Sequence, residues 1–97
     1  MHNLFIAYDL MNLGKNYEGV RDAIKSLGQW YQFQFSLFYV NTRFTAQEAH
    51  DIVRCAMDAD DRLCVINAAG AVVSVYPQPD LQAVNLVWLN SMLERAA

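Results

Sequence analysis

Apolar positions along this chain fall into short runs separated by polar punctuation, and the spacing changes from run to run. Leu4 to Tyr8 is continuously apolar, the pattern of a strand buried on both faces. The segment "NLGKN" that follows reads as a loop from its Gly and Asn content. Tyr17, Val20, Ala23, Ile24 and Leu27 then recur at helical spacing, with Asn16 as a cap and Gly28 as the stop. Residues 30 to 41, "WYQFQFSLFYVN", are aromatic and β-prone. Period two holds in the first half and gives way to an apolar run from Leu37 to Val40, so the stretch is one long strand or two short ones around a kink near Ser36.

"TAQE" at residues 45 to 48 fits a capping box, in which Thr45 accepts from the first helical turn and Glu48 reaches back. The helix behind it is expected to bury Ala49, Ile52, Val53, Ala56 and Met57, with Gln47, His50, Asp51 and Arg54 mostly outward. "DADD" breaks it, and "RLCVINA" reads as a second buried strand. Ala69-Gly70 is a turn, "AVVSVYP" a strand able to pair back as a hairpin, and Asp80 a cap for a last helix from Leu81 to about Arg95. The apolar arc of that helix is too wide to cover one core, so part of it, with Trp88 and Leu89, is expected to meet another subunit or a protein partner.

The element order makes residues 1–97 a single α+β domain. It predicts a ferredoxin-like βαββαβ sandwich with an extra C-terminal strand and helix. The two most uniformly apolar runs, Leu4–Tyr8 and Leu63–Asn67, are expected to lie central and parallel.

Composition sharpens this. Hydrophobic residues make up 55 % of the 97, more than a monomer of this size hides easily, so an oligomer is expected, with Phe38 and Tyr39 of the aromatic strand at its interface. The apolar runs are too short to cross a membrane. "MHNLFIAYD" has no basic lead and no small-residue cleavage pattern, and two cysteines make no disulfide framework, so a cytoplasmic chain with reduced thiols is the expectation. The net charge of −3 argues against broad electrostatic binding of nucleic acid, although Lys15, Arg43 and Arg62 are candidates for a local patch.

Candidate chemistry is sparse. Asp9 ends the first strand, where an acid either forms a turn by bonding loop amides or serves a site. Asp58, Asp60 and Asp61 read as a solvated loop. They lack the Asp-x-Asp-x-Asp-Gly pattern and distal Glu of a calcium loop. His50, Cys55 and Cys64 have no metal-ligand spacing, and Cys64 reads as a small core residue. Trp30, Tyr31, Phe33, Phe35, Phe38 and Tyr39 are dense enough to stack on bases, but on a strand they read first as an interface.

The opening strand ending in "AYD", the aromatic strand with "QFSLFYV", the capped helix and "DADDRLCVI" leading into a further strand together resemble a known family. It is the small nuclease-like subunit of CRISPR spacer acquisition, the second Cas protein. Its SinR-like relatives and the virulence-associated D ribonuclease toxins share the likeness, which covers about residues 3 to 76. The resemblance implies a ferredoxin-like homodimer in antiviral defence that binds RNA or DNA. It leaves Mg²⁺-dependent phosphodiester cleavage open. In such a protein Asp9 would be catalytic and ligate the metal near the twofold axis, Ser36 would assist at the phosphate, and Lys15, Arg43 and Arg62 would position the backbone. Members that bind nucleic acid carry Lys or Arg soon after the acid, whereas here "LMNLG" precedes Lys15. A second reading is a dimeric interaction module without catalysis, serving as a defence-system adaptor or a mobile-element-encoded inhibitor of host defence. A ribonuclease toxin is a third.

Overall fold

A computed structural model describes residues 1–11 and 17–68. The expectations for Lys15, the Asn16 cap, the "AVVSVYP" strand and the last helix with Trp88 and Leu89 fall outside those residues. The elements are β1 (His2–Asp9), α1 (Tyr17–Lys25), β2 (Gly28–Gln34), β3 (Leu37–Thr42), α2 (Ala46–Arg54) and β4 (Arg62–Asn67). They form a four-stranded sheet in the order β2-β3-β1-β4, with every neighbouring pair antiparallel. This is the ferredoxin-like α+β topology expected.

The strand pairing differs from expectation in one respect. β1 and β4 are neighbours but antiparallel, and the central pair is β1 with β3. The crossover through α2 returns the chain parallel to β3, and β1 lies between the two, so it opposes both. The Leu4–Tyr8 run of β1 is uniformly apolar because β1 is central. β4 instead alternates, with Leu63 and Val65 packed on the core and Arg62, Cys64 and Ile66 exposed. Cys64 is therefore a surface thiol rather than a core residue.

One face of the sheet packs on both helices. Leu4, Ile6 and Tyr8 of β1 and Phe38 and Val40 of β3 meet Val20 and Ile24 of α1 and Ala49 and Val53 of α2. Each of the Leu, Ile, Val and Phe side chains among them contributes about 1.5–3 kcal/mol by leaving water. α1 stops two residues short of Leu27, because the Leu27 carbonyl accepts from the Thr42 hydroxyl at 2.7 Å and Gly28 already opens β2. Gly28 is needed there: a Cβ would run into the Asn41 carbonyl oxygen. The aromatic stretch resolves into two strands joined by a turn at Phe35 and Ser36. Its second strand is internal. Phe38 and Tyr39, expected at a subunit interface, are fully buried within this chain, Phe38 in the helix-side core and Tyr39 beside Phe5 on the opposite face.

The Thr45–Glu48 capping box forms as expected, with Glu48 N–H donating to Thr45 Oγ1 at 3.1 Å and Thr45 N–H donating to Glu48 Oε1 at 3.0 Å. Among the described residues no helix is long and apolar enough to cross a membrane.

Candidate functional site

The C-terminal end of β1 is where chemistry-bearing side chains gather. Antiparallel register sets Asp9 opposite Arg62 and Ala7 opposite both Cys64 and Leu37. Because strand residues alternate between faces, Ala7 and Asp9 share the face of Cys64 and Arg62, away from the helices. The turn between β2 and β3 closes over this end. Tyr8 N–H donates to the Ser36 carbonyl at 3.1 Å, and the Tyr8 hydroxyl donates to the Phe35 carbonyl at 3.0 Å. Burial raises the Tyr8 phenol above its ordinary pKa, opposed by the nearby Arg21 charge, so it stays neutral and keeps its proton for that bond.

The result is a cleft of about 310 Å³ lined by Ala7, Tyr8 and Asp9 from β1, Ser36 from the turn, and Arg62, Leu63 and Cys64 from β4. Three residues singled out in the sequence, Asp9, Ser36 and Arg62, thus come together from three separate segments. The small side chain of Ala7 sits between them. The cleft offers one carboxylate, one guanidinium, the Ser36 hydroxyl and one thiol, with the Tyr8 hydroxyl bonded to the Phe35 carbonyl. That set can bind an anionic oxygen through Arg62 and Ser36 beside a hard carboxylate donor from Asp9. Among the described residues no group of three His, Cys, Asp or Glu side chains is placed to hold a metal ion.

The other predicted residues stand elsewhere. Arg43 follows β3, whose last residue Thr42 pairs with His2 at the far end of β1. Seven strand steps of about 3.3 Å put that end roughly 23 Å from Asp9. Arg43 is exposed there, its guanidinium 5.2 Å from the Phe44 ring centroid, so it does not join the cleft.

The acidic run has a role that sequence reading missed. Asp61 is buried rather than solvated. One carboxylate oxygen accepts from Met11 N–H at 3.0 Å and the other from Asp58 N–H at 2.8 Å. Arg54, read as an outward residue, donates to the carbonyls of Ala59 at 2.9 Å and Asp61 at 3.2 Å. This clasp ties the chain just after Asp9 to the chain just before Arg62, and so fixes the two charged walls of the cleft. A short-range signal existed in Arg54 facing an acidic loop, but the Met11 contact carries none. Cys64 was also missed as a lining residue. Strict alternation from Arg62 would have found it.

In comparisons with known proteins, no family model, no curated protein and no solved structure matches this chain, so the cleft is interpreted from its own geometry.

Proposed function

We propose that this protein is a homodimeric nucleic-acid-binding protein of Cas-two-like type whose Asp9 cleft engages a phosphodiester. The observation that carries the reading is the convergence of Asp9, Ser36 and Arg62 on one cleft. Arg62 supplies a planar, permanently charged fork for a phosphate oxygen. The Ser36 hydroxyl donates to a second oxygen, and its position is held by the two hydrogen bonds from Tyr8. Ala7 leaves the space in which the phosphate sits.

Cleavage would require Mg²⁺, and the fit to that ion is partial within one chain. Asp9 is a single carboxylate, whereas Mg²⁺ takes one or two carboxylates and retains several waters. Asp9 together with Asp9 of the partner subunit would complete the donor set. When bound, the cation supplies Lewis acidity at the phosphoryl oxygen and lowers the pKa of water. The chain's own part is to orient the phosphate through Arg62 and Ser36.

The test is cleavage of labelled single-stranded RNA and double-stranded DNA by wild type and Asp9→Ala, with Mg²⁺, Mn²⁺ or EDTA. The expected result is metal-dependent cleavage by wild type, and none above the EDTA background by the variant. Equal activity in both proteins rejects the assignment of Asp9.

A second reading, a dimeric protein-interaction module without catalysis, is favoured by the exposed apolar surface on β4, where Ile66 is 54 % exposed beside the Cys64 thiol. Absence of cleavage, with partner binding lost on Ile66→Asp, would support it.

A further inference from the structure

The flank where α1 lies along β2 carries exposed aromatic rings, each attended by a cation. Tyr17, Arg21 and Lys25 are spaced four apart and therefore share one row of α1. The Arg21 guanidinium lies 5.5 Å from the Phe35 ring centroid, and the Lys25 ammonium lies 4.5 Å from that of Trp30. Tyr17 packs its ring 5.1 Å from Phe35 at a 56° tilt. Phe35 is nonetheless 60 % exposed and Trp30 42 % exposed. Keeping two large rings in water forfeits burial energy that the nearby core would otherwise supply.

We propose that this flank is a binding track for single-stranded nucleic acid that ends at the Phe35–Ser36 turn beside the Asp9 cleft. Exposed rings with adjacent cations provide both things an unpaired strand needs, a platform for base stacking and positive charge for the backbone. A duplex keeps its base faces stacked inside, so it gains nothing from the rings. The track is held rigid at both ends. Trp30 packs on the buried Phe38 ring at 6.0 Å, and Gln32 Nε2 donates to the Phe35 carbonyl at 3.2 Å. Phe35 precedes Ser36, so a strand laid along β2 ends at the turn whose Ser36 lines the cleft, with Asp9 and Arg62 around the end of the sheet on its other face. Glu18 and Asp22 are exposed on the same helix, one residue on from Tyr17 and Arg21, about 100° around its axis. They repel phosphate from the outer side of α1 and confine it to the side facing β2.

This inference rests on the reading that the partner is nucleic acid, but not on cleavage. Binding is therefore measured in EDTA, by anisotropy of labelled oligouridine and oligothymidine and of a duplex of matched length. The proteins are wild type, the double variant Arg21→Gln/Lys25→Gln, and Phe35→Ser, a surface change whose folding is checked by circular dichroism. Wild type is expected to bind the single strands more tightly than the duplex. Each variant is expected to lose at least about tenfold in affinity, the equivalent of about 1.4 kcal/mol. Unchanged affinity in both variants, preference for the duplex, or no binding by wild type at low salt overturns the track. Loss of binding in the variants, with no Mg²⁺-dependent cleavage by wild type, leaves the track and removes the phosphodiesterase reading. Cleavage that the track variants do not alter removes the track and leaves the cleft.

Discussion

The two ends of β1 both carry polar side chains, and they treat them in opposite ways. At the N-terminal end, Asn3 Oδ1 accepts from the Tyr39 hydroxyl at 2.6 Å and from Asn41 Nδ2 at 3.1 Å, and all three residues are buried. At the C-terminal end, Asp9 and Arg62 are exposed and open on a cleft. Buried polar groups bonded to one another are committed to holding the fold. Exposed ones across a shaped space remain free to meet a ligand. Architecture occupies one end of the strand, and the proposed site the other.

The sharpest test lies in the clasp behind the cleft, where structure and site meet. Asp61→Ala removes two charge-assisted bonds, those it accepts from the Met11 and Asp58 amides. The expected loss is about 3 kcal/mol of unfolding free energy in a urea titration. Ligand affinity at the cleft should fall with it, because Asp9 and Arg62 lose their common anchor. A variant of wild-type stability would show that the clasp does not hold the cleft. The next test substitutes alanine at both ends of one strand. Asn3→Ala removes the acceptor shared by the Tyr39 hydroxyl and the Asn41 amide, and the amide keeps its 3.4 Å bond to the His2 carbonyl. The substitution also deletes Asn3 Nδ2, a buried donor with no hydrogen-bond partner among the described residues. The two effects oppose, for a net loss of about 1–3 kcal/mol. Asp9→Ala, on the exposed side, should change stability by no more than about 0.5 kcal/mol. Equal losses at the two positions would erase the distinction drawn between the ends.

How far each feature could be read from the chain follows from how local its cause is. The capping box spans four neighbouring residues, so "TAQE" declared it fully. The run ending at Asp9 was legible because burial of β1 is written in consecutive letters. The neighbours of each strand were not. Uniform apolarity in β1 says that the strand is central, but not that β3 rather than β4 shares the centre, since that depends on the path through α2. Asp61 looked solvated because its partner, the Met11 amide, lies 50 residues away. The interface assigned to Phe38 and Tyr39 failed for a related reason. An aromatic strand packs the same way into a partner or into its own sheet, and only the position of β3 between β2 and β1 decides it. Asp9, Ser36 and Arg62 were each visible singly. Their meeting required the antiparallel register and the turn at Ser36.

A smaller effect than the loss of Asp61 concerns the capping box, which caps α2 at the same end of the sheet as the Asn3 cluster. It shows what polar pairing contributes when it is exposed. Thr45→Ala should lower stability by about 1 kcal/mol. Glu48 provides a pH signature for the same contact. The Thr45 backbone bond, then the Thr45 side-chain bond, lower its carboxyl below the ordinary value of 4.5. A carboxyl depressed in the folded state stabilises it fully above the unfolded value, and that stabilisation fades as pH falls through the folded one. Asp51 behaves alike below its ordinary 3.8, depressed chiefly by His50 and then by Gln47. Wild type should therefore lose stability as pH drops below 4.5. Thr45→Ala should show a shallower loss over the same range, because its Glu48 no longer has the full box to lose. Chemical denaturation at a series of pH values gives both slopes. Parallel slopes would mean that the box, though formed, leaves the charge of Glu48 uncoupled from folding, and that polar pairing at this end stabilises only where it is buried.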